Sequence, residues 1–583
     1  MLRSLARSPA DALDTARQSS RSNAPVAPLW LARLEAWAAQ PRPMHNAVLW
    51  LSAYLALAAN WPLWIELARI GGAPSVYLRS IGVMALLLMA GTVALLSLIA
   101  GARWSKALWF AVVLLAAVVQ HYMLAYRIVL DPSMLANASQ TDAHEVADLL
   151  SGRLLLHVLL VAAPAGWWLW HVRIVRASWW TAIWRQLALC LAALAVAAGG
   201  AIATSRDLAP LMRNHVHLRY MLNPLAPLYS GATVALRPLF KRSRRLIPMT
   251  GGAALGASYA AQGKPPLFVI VVGETARADH FALNGYARDT TPELAQRQVL
   301  SYRNVHSCGT NTLASVPCMF SPLGKVAFEA RKDEYENLLD VLQASGLAVL
   351  WIENQSGCKD VCNRVPHAFA VDGLAPEVKA ALCDGDECLD QALLSGLDAR
   401  LAALPAERRA KGVVLVMHQM GSHGPAYYKR SAPDSKPFVP ECRSNALAEC
   451  GHAALLNGYD NSIRNTDRVL ARTIDWLKAN SGTYDTAMLY QSDHGESLGE
   501  YGLFLHGLPY GIAPEVQKHV PLVAWFSDGM QKRERLSTQC LQGDLDQPYS
   551  HDNLYHTALG VMDVRSPSYK AGLDMFAHCR AAG

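Results

Sequence analysis

Cysteine is nearly missing from the first half of this 583-residue chain, where Cys190 is the only one of eleven to precede residue 300. Long apolar runs are nearly missing from the second half, since almost all of them lie before about residue 205. The first 46 residues have no apolar core and carry Arg3, Arg7, Arg17, Arg21, Arg33 and Arg42, so they do not read as a secretory signal peptide. Repeated metal-ligand spacing is also missing from the late cysteines. Cys358/Cys362, Cys383/Cys388 and Cys442/Cys450 are separated by different intervals, which argues against cysteine-bound zinc. Together with Cys308/Cys318 and Cys540/Cys579 they form an even set in close pairs, as a disulfide framework in an oxidising compartment would. Connectivity is open at this point, and nearest-neighbour pairing is the most economical choice.

What is present divides the chain in two. Apolar residues make up 52% of it with a mean hydropathy of +0.13, concentrated in five segments of bilayer-spanning length. These are roughly 47–65, 80–100, 107–126, 154–170 and 186–204. Asn60 and Pro62 weaken the first, and the fourth is short and contains Pro164. Tryptophans such as Trp50, Trp61, Trp109 and Trp168 crowd the expected ends, as interfacial aromatics do. With five spans, the basic residues of the N-terminal stretch fall on one side with Arg103, Lys106, Arg173, Arg176 and Arg185, which assigns that side to the cytoplasm. Everything after residue 205 is then exported, in agreement with the cysteines. The basic run 241–245 suits either an anionic lipid surface or a solvated linker.

The exported part alternates β-rich runs (266–272, 347–352, 412–418, 486–492 and 520–526) with helix-like stretches such as 336–345 and 461–480. This pattern predicts an α/β fold with a mostly parallel sheet, in which sites form beyond the carboxyl ends of strands. Glu274 follows the first run, His423 the third, and Asp493 with His494 the fourth. One such residue alone is more often a cap or turn residue. Three at equivalent places form a convergent oxygen and nitrogen ligand set suited to zinc or manganese.

The segment SCGTNTLASVPCMFS (307–321) then acquires a role. By itself it reads equally as a disulfide-closed loop whose hydroxyls satisfy backbone groups. Beside a metal held by Glu274, Asp493 and His494, a threonine there becomes a fourth ligand that loses its proton readily, and hence a nucleophile toward phosphorus or sulfur esters.

GETARADHFALNGY, SCGTNTLASVPCMFS, HQMGSHGPAYYKR, SDHGESLGE and LHGLPYGIAPEVQKHVP, in that order, resemble the bacterial lipid A phosphoethanolamine transferases, a family that includes the mobile colistin-resistance enzymes. The resemblance runs from about residue 45 to the end. It implies an α-helical membrane domain of five transmembrane helices followed by an α/β alkaline-phosphatase/sulfatase-like periplasmic domain. The expected division is a cytoplasmic extension (1–45), the transmembrane domain (46–205), an interfacial linker (206–262) and a zinc-dependent catalytic domain (263–583). Residues 1–45 have no place in the family pattern and are expected to be a disordered tail. The resemblance makes Thr312 the nucleophile and zinc the cofactor, bound by Glu274, Thr312, Asp493 and His494. It places His423 and His506 around the phosphoethanolamine group or a second zinc, with Lys359 and, more weakly, Ser356 near the same group. Asn137 and Glu145, in the loop between the third and fourth spans, correspond to polar residues that bind the lipid substrate.

The implied reaction is a double displacement. Phosphatidylethanolamine is the donor, a phosphothreonine forms, and a lipid A phosphate or sugar hydroxyl is the acceptor, which lowers the attraction of lipopolysaccharide for cationic peptides such as polymyxins. The enzyme is expected to be a monomer in the bacterial inner membrane, with no nucleic-acid partner. A transferase acting on a core heptose or another periplasmic glycan is the alternative, as is a phosphoglycerol transferase. A sulfatase fits the cysteine-bracketed threonine less well, and a sensor domain has no need of a complete ligand set.

Overall fold

Residues 47–65 do not form one straight span. Met44–Leu57 (α1) and Trp61–Ile70 (α2) meet at a 48° bend. Pro62 falls in the first turn of α2, where its missing N–H leaves no bond unmade. Asn60, in the break, donates from Nδ2 to the carbonyls of Leu55 (2.8 Å) and Asn223 (2.6 Å), and the Asn223 N–H donates back to Asn60 Oδ1 (2.9 Å). Asn223 Nδ2 in turn donates to the carbonyls of Ala59 (3.0 Å) and Ala116 (2.7 Å). Both asparagines are buried. A broken helix at membrane depth persists only where protein groups take up the freed backbone bonds, and this pair supplies them.

The computed structural model describes residues 29–581 apart from 71–73, 101–103, 141–142, 176–177, 205–207, 209–210, 213–214, 241–244, 261–262 and 386. After the bent pair come Pro74–Leu98 (α3), Ser105–Ala125 (α4), the short helices Pro132–Ala138 (α5) and Ala143–Leu149 (α6), then Gly152–His171 (α7) and Trp179–Ala203 (α8). Four of these are long and apolar enough to cross a membrane, and the bent pair makes five. Leu156, Leu160 and Ile202 point outward with exposures of 57%, 67% and 75%, forming a belt of the kind that acyl chains cover. Leu225–Phe240 (α9) leads toward the second domain. Of the N-terminal extension, residues 1–28 lie outside the described residues, as do residues 241–244 of the basic run. From Leu29 on the extension is ordered, contrary to expectation: Leu29–Ala38 is helical and Pro41–Pro43 pairs in parallel with Arg173–Val175. The Arg42 guanidinium lies 5.0 Å from the Trp37 ring and 5.9 Å from that of Trp50, so aromatic contact holds this stretch to the bundle. The pairing also sets Arg42 and Arg173 on one side, as their charge required.

All five apolar runs of the second domain are strands. In chain order the main sheet comprises Pro266–Gly273 (β1), Leu300–Tyr302 (β2), Ala348–Glu353 (β3), His367–Phe369 (β4), Val413–His418 (β5), Asp485–Ser492 (β6) and Leu522–Phe526 (β7). Their spatial order is β4-β3-β5-β1-β6-β7-β2. The first five are mutually parallel, and β7 runs antiparallel to both β6 and β2. Both faces of the sheet are covered, so the central strands are apolar along most of their length, with polar residues gathered toward their ends. Along β1, Leu267, Val269 and Val271 enter one core while Phe268, Ile270 and Val272 enter the other. Short β2 and β4 were not legible as strands because each is a three-residue edge. Helices Thr312–Met319 (α10) and His452–Ala479 (α11) complete the parts that matter for the site.

All ten late cysteines pair with their nearest neighbours: 308–318, 358–362, 383–388, 442–450 and 540–579. The two domains meet through α5, which contacts α10, and through the 442–450 loop. Asn445 Nδ2 donates to the Asp148 carbonyl (2.6 Å) and accepts at its own carbonyl from the Tyr126 hydroxyl (2.9 Å). Lys429 pairs with Asp148, and Arg153 with Glu449. Replacing Asn60 with Leu removes the side-chain partners of the buried Asn223 backbone N–H and carbonyl. It should destabilise the full-length protein by about 1–3 kcal/mol, read as a lowered midpoint in a thermal melt in detergent.

Candidate metal centre and nucleophile

Strand β1 ends at Gly273, and the next residue, Glu274, is completely buried. Thr275 turns the chain sharply at φ +59°, a left-handed conformation that a β-branched residue avoids. It is held there on three sides. Its N–H donates to Asp493 Oδ1 (3.2 Å), its hydroxyl to Glu274 Oε1 (2.7 Å), and its carbonyl accepts from the Tyr459 hydroxyl (2.8 Å). Strain of this kind, of order 1–3 kcal/mol, persists only where the surroundings over-determine it, and it aims Glu274 inward. From the other side Gly421, at φ +53°, presses against the same turn. A Cβ there would lie 2.5 Å from the Glu274 carbonyl oxygen.

Strand β6 ends at Ser492 and delivers Asp493 and His494, both fully buried. The His494 Nδ1–H donates to the Gly495 carbonyl (2.9 Å), which fixes the tautomer and leaves a lone pair on Nε2. That lone pair faces Glu274 Oε1 at 3.2 Å and Asp493 Oδ2 at 3.3 Å. Neither His494 Nε2 nor Asp493 Oδ2 has a hydrogen-bond partner among the described residues. Acceptors that face acceptors out of water are satisfied by a cation, and one ligand atom from each of Glu274, Asp493 and His494 lies within 4.8 Å of the others. Burial, reinforced by Glu274, pushes the Asp493 carboxyl up to about 7. Burial works against protonation of His494, but Asp493 and Glu274 outweigh it and push the imidazole up to about 10, so the two carboxylates draw either a proton or a cation onto Nε2. Burial dominates the first shift and the two carboxylates the second. The donor set fits zinc.

Thr312 lies against this group. It begins α10, the preceding Asn311 capping the helix by accepting from the Ala314 N–H (3.0 Å), so its hydroxyl sits at the positive end of the helix dipole. Thr312 is 2% exposed, and its Oγ1 donates to Glu274 Oε2 at 3.1 Å. Thr310 is differently employed, donating from Oγ1 to the Leu508 carbonyl (2.6 Å) while its own carbonyl accepts from the Gly507 N–H (2.8 Å). One threonine faces the carboxylate and the other ties the loop to its neighbour. His551 makes a second tie. Its Nδ1 accepts from the Cys308 N–H (3.0 Å) and its Nε2–H donates to the Ser492 carbonyl (2.9 Å), joining the nucleophile loop to the strand end that carries Asp493.

His506 lies beside the set, with its ring centre 4.3 Å from that of His494 and 5.4 Å from that of His423. Its Nδ1 pairs with Glu496 Oε2 at 2.8 Å, and Glu496 Oε1 accepts from the buried Tyr427 hydroxyl (2.6 Å). Burial and the two neighbouring histidines push His506 well below its ordinary value, which keeps it neutral. Ser356 and Lys359 are brought to each other, Lys359 Nζ donating to the Ser356 hydroxyl (2.8 Å) and carbonyl (3.0 Å). Among the described residues neither hydrogen-bonds to the four-residue set. Asn137 lies on α5, the helix that contacts α10, whereas the side chain of Glu145 lies outside the described residues. Sequence reasoning missed Thr275, His551, Glu496 and Tyr427. Glu496 and Thr275 had a signal, lying beside His494 and Glu274 in the same motifs, whereas His551 and Tyr427 act through contacts 59 or more positions away.

Residues 266–564 match the sulfatase family, and residues 88–239 match the family described as phosphoethanolamine transferase EptA/EptB. The chain is 36% identical over 479 residues to phosphoethanolamine transferase EptA of Salmonella typhimurium, covering 80% of this chain and 84% of that protein. It is 37% identical over 471 residues to phosphatidylethanolamine transferase Mcr-1 of Escherichia coli, covering 80% and 85%. Its structure is similar to that of the integral membrane protein lipooligosaccharide phosphoethanolamine transferase A of Neisseria meningitidis, with a TM-score of 0.86 and 32% identity over 93% of this chain and all of that one.

Replacing Asp493 with Asn should remove most of the bound divalent metal, measured by elemental analysis after dialysis, while Thr310→Ser should retain it. Burial pushes His551 down to about 3. Between pH of about 6.5 and 3 the unfolded imidazole therefore binds a proton that the folded one does not, and stability falls as pH falls. Thermal melts of His551→Gln at a series of pH values should show a shallower acid decline than wild type.

Proposed function

Because the chain belongs to the phosphoethanolamine transferase family, we propose that it moves phosphoethanolamine from phosphatidylethanolamine to lipid A through a covalent intermediate on Thr312. It is a transferase of the bacterial inner membrane whose catalytic domain faces the periplasm. The observation that carries the mechanistic reading is the Thr312 hydroxyl, buried, at a helix N-terminus, and donating to the carboxylate of a convergent donor set.

Glu274, Thr312, Asp493 and His494 would hold zinc, which when bound lowers the pKa of the threonine hydroxyl and offsets negative charge on phosphorus oxygens. The Thr312 hydroxyl gives up its proton along its hydrogen bond to Glu274 as Oγ1 forms a bond to phosphorus and the bond to the diacylglycerol oxygen breaks. Diacylglycerol needs a proton as it leaves, which His423 would supply, while the neutral His506 beside it is suited to accepting a proton. The acceptor oxygen then attacks phosphorus, the same histidines take its proton, and Thr312 is released. The ethanolamine ammonium is suited to Glu496, while Lys359 and Ser356 guide the phosphate and Asn137 and Glu145 meet the donor at the membrane. The working division is a membrane domain at 46–205, a linker at 206–262 and a catalytic domain at 263–583, the protein acting as a monomer.

The similarity to EptA and Mcr-1 over 80% of the chain favours lipid A over a core heptose or a phosphoglycerol donor. Mass spectrometry of lipid A from cells expressing the protein should show added phosphoethanolamine with wild type and Thr310→Ala. With Thr312→Ala the product should fall by at least about 10³-fold. Unmodified lipid A in every strain that contains the protein would remove lipid A as the acceptor.

A further inference from the structure

A cavity of about 280 Å³ lies between α2, the chain just past α4, and the 501–512 loop. Its polar wall is Glu66, Arg69, Arg127 and His217, and the remainder is apolar, including Ile128 and Met221. Glu66 is shared between His217 (3.3 Å) and Arg69 (3.8 Å). Arg127 forms no ion pair among the described residues; its Nη1 donates to the Tyr501 carbonyl (3.1 Å). Two guanidinium groups against one carboxylate leave net positive charge in a half-apolar cavity, even with His217 neutral. The Arg69 side chain is 45% exposed, so the charge can be reached from outside. Leu508, which lines the cavity, is also the residue whose carbonyl accepts the Thr310 hydroxyl (2.6 Å), so one wall is shared with the nucleophile loop.

We propose that this cavity seats the phosphate of a membrane lipid, with Arg69 and Arg127 binding the oxygens and the apolar wall taking the adjoining lipid surface. Guanidinium groups match phosphate oxygens in geometry and charge. Helices α2 and α4 are membrane helices, so a ligand arriving from the bilayer reaches the cavity without leaving the interface. The assignment rests on the transferase reading for its purpose: transfer between two lipids needs a seat for each, and the Thr312 pocket accounts for the donor headgroup.

The test is native mass spectrometry of the zinc-loaded full-length protein in detergent, without phosphatidylethanolamine, so that no transfer is required. The probes are bisphosphorylated lipid A, its dephosphorylated form, phosphatidylglycerol and inorganic phosphate. Arg69→Gln combined with Arg127→Gln should weaken binding of phosphorylated lipid roughly tenfold or more and leave dephosphorylated lipid A unchanged. Glu66→Gln should strengthen it several-fold, a gain that misfolding cannot produce. Preference for lipid A or for phosphatidylglycerol identifies the source, and displacement by inorganic phosphate makes the phosphate group alone the determinant. Equal binding of phosphorylated lipid by wild type and the double variant would overturn the proposal, as would equal binding of the dephosphorylated form. Neither result depends on whether lipid A is the acceptor in cells.

Discussion

Two carboxylates, an imidazole and a hydroxyl share one buried volume, and a protein interior tolerates that arrangement only with a compensating proton or cation. Glu274, Asp493 and His494 are each fully buried, and Thr312 nearly so. Much of the surrounding structure resists their mutual repulsion. Thr275 accepts an unfavourable backbone conformation and bonds to both carboxylates. Gly421 leaves room for the Glu274 turn, and His494 gives its proton to a backbone carbonyl and so keeps its lone pair turned inward. The sheet supplies the rigidity. β1 and β6 are adjacent and parallel, so their ends, carrying Glu274 and Asp493, arrive side by side through register alone.

The membrane domain is tied to that centre at two levels. At the helix break, Asn60 and Asn223 satisfy each other and lock the bent pair to α4. Beyond it, α5 rests on the nucleophile helix and Asp148 receives Lys429 and Asn445 from the catalytic domain. The helix that begins at Thr312 is therefore held in position relative to the membrane domain.

Much of this was legible in the residues. The strand-end logic located Glu274, Asp493, His494 and His423 because continuous Val/Ile/Leu runs announce a sheet buried on both faces, and such sheets put chemistry at their ends. The preference for Thr312 over Thr310 came from the family resemblance, and the structure sets only Thr312 against Glu274. Two positions apart in a hydroxyl-rich loop, the threonines differ only in that one spends its hydroxyl on the Leu508 carbonyl. His551 left no trace in the pattern, since its role consists of two bonds to chain segments 243 and 59 positions distant. The bend between α1 and α2 was half visible, Asn60 and Pro62 marking a weak span without indicating that Asn223 would repair it.

The spacing of the disulfides bears on how the domain is made. Four of the five close loops of 4, 5, 8 and 10 residues, and only Cys540–Cys579 spans as many as 39. Loop closure becomes less favourable as loops lengthen, so each cysteine's first available partner during threading into the periplasm is also its native one. An oxidant that joins consecutive thiols in order of emergence would yield the correct set without reshuffling. The nucleophile loop, bracketed by Cys308 and Cys318, would be sealed first, before either Asp493 or His494 had left the translocation channel.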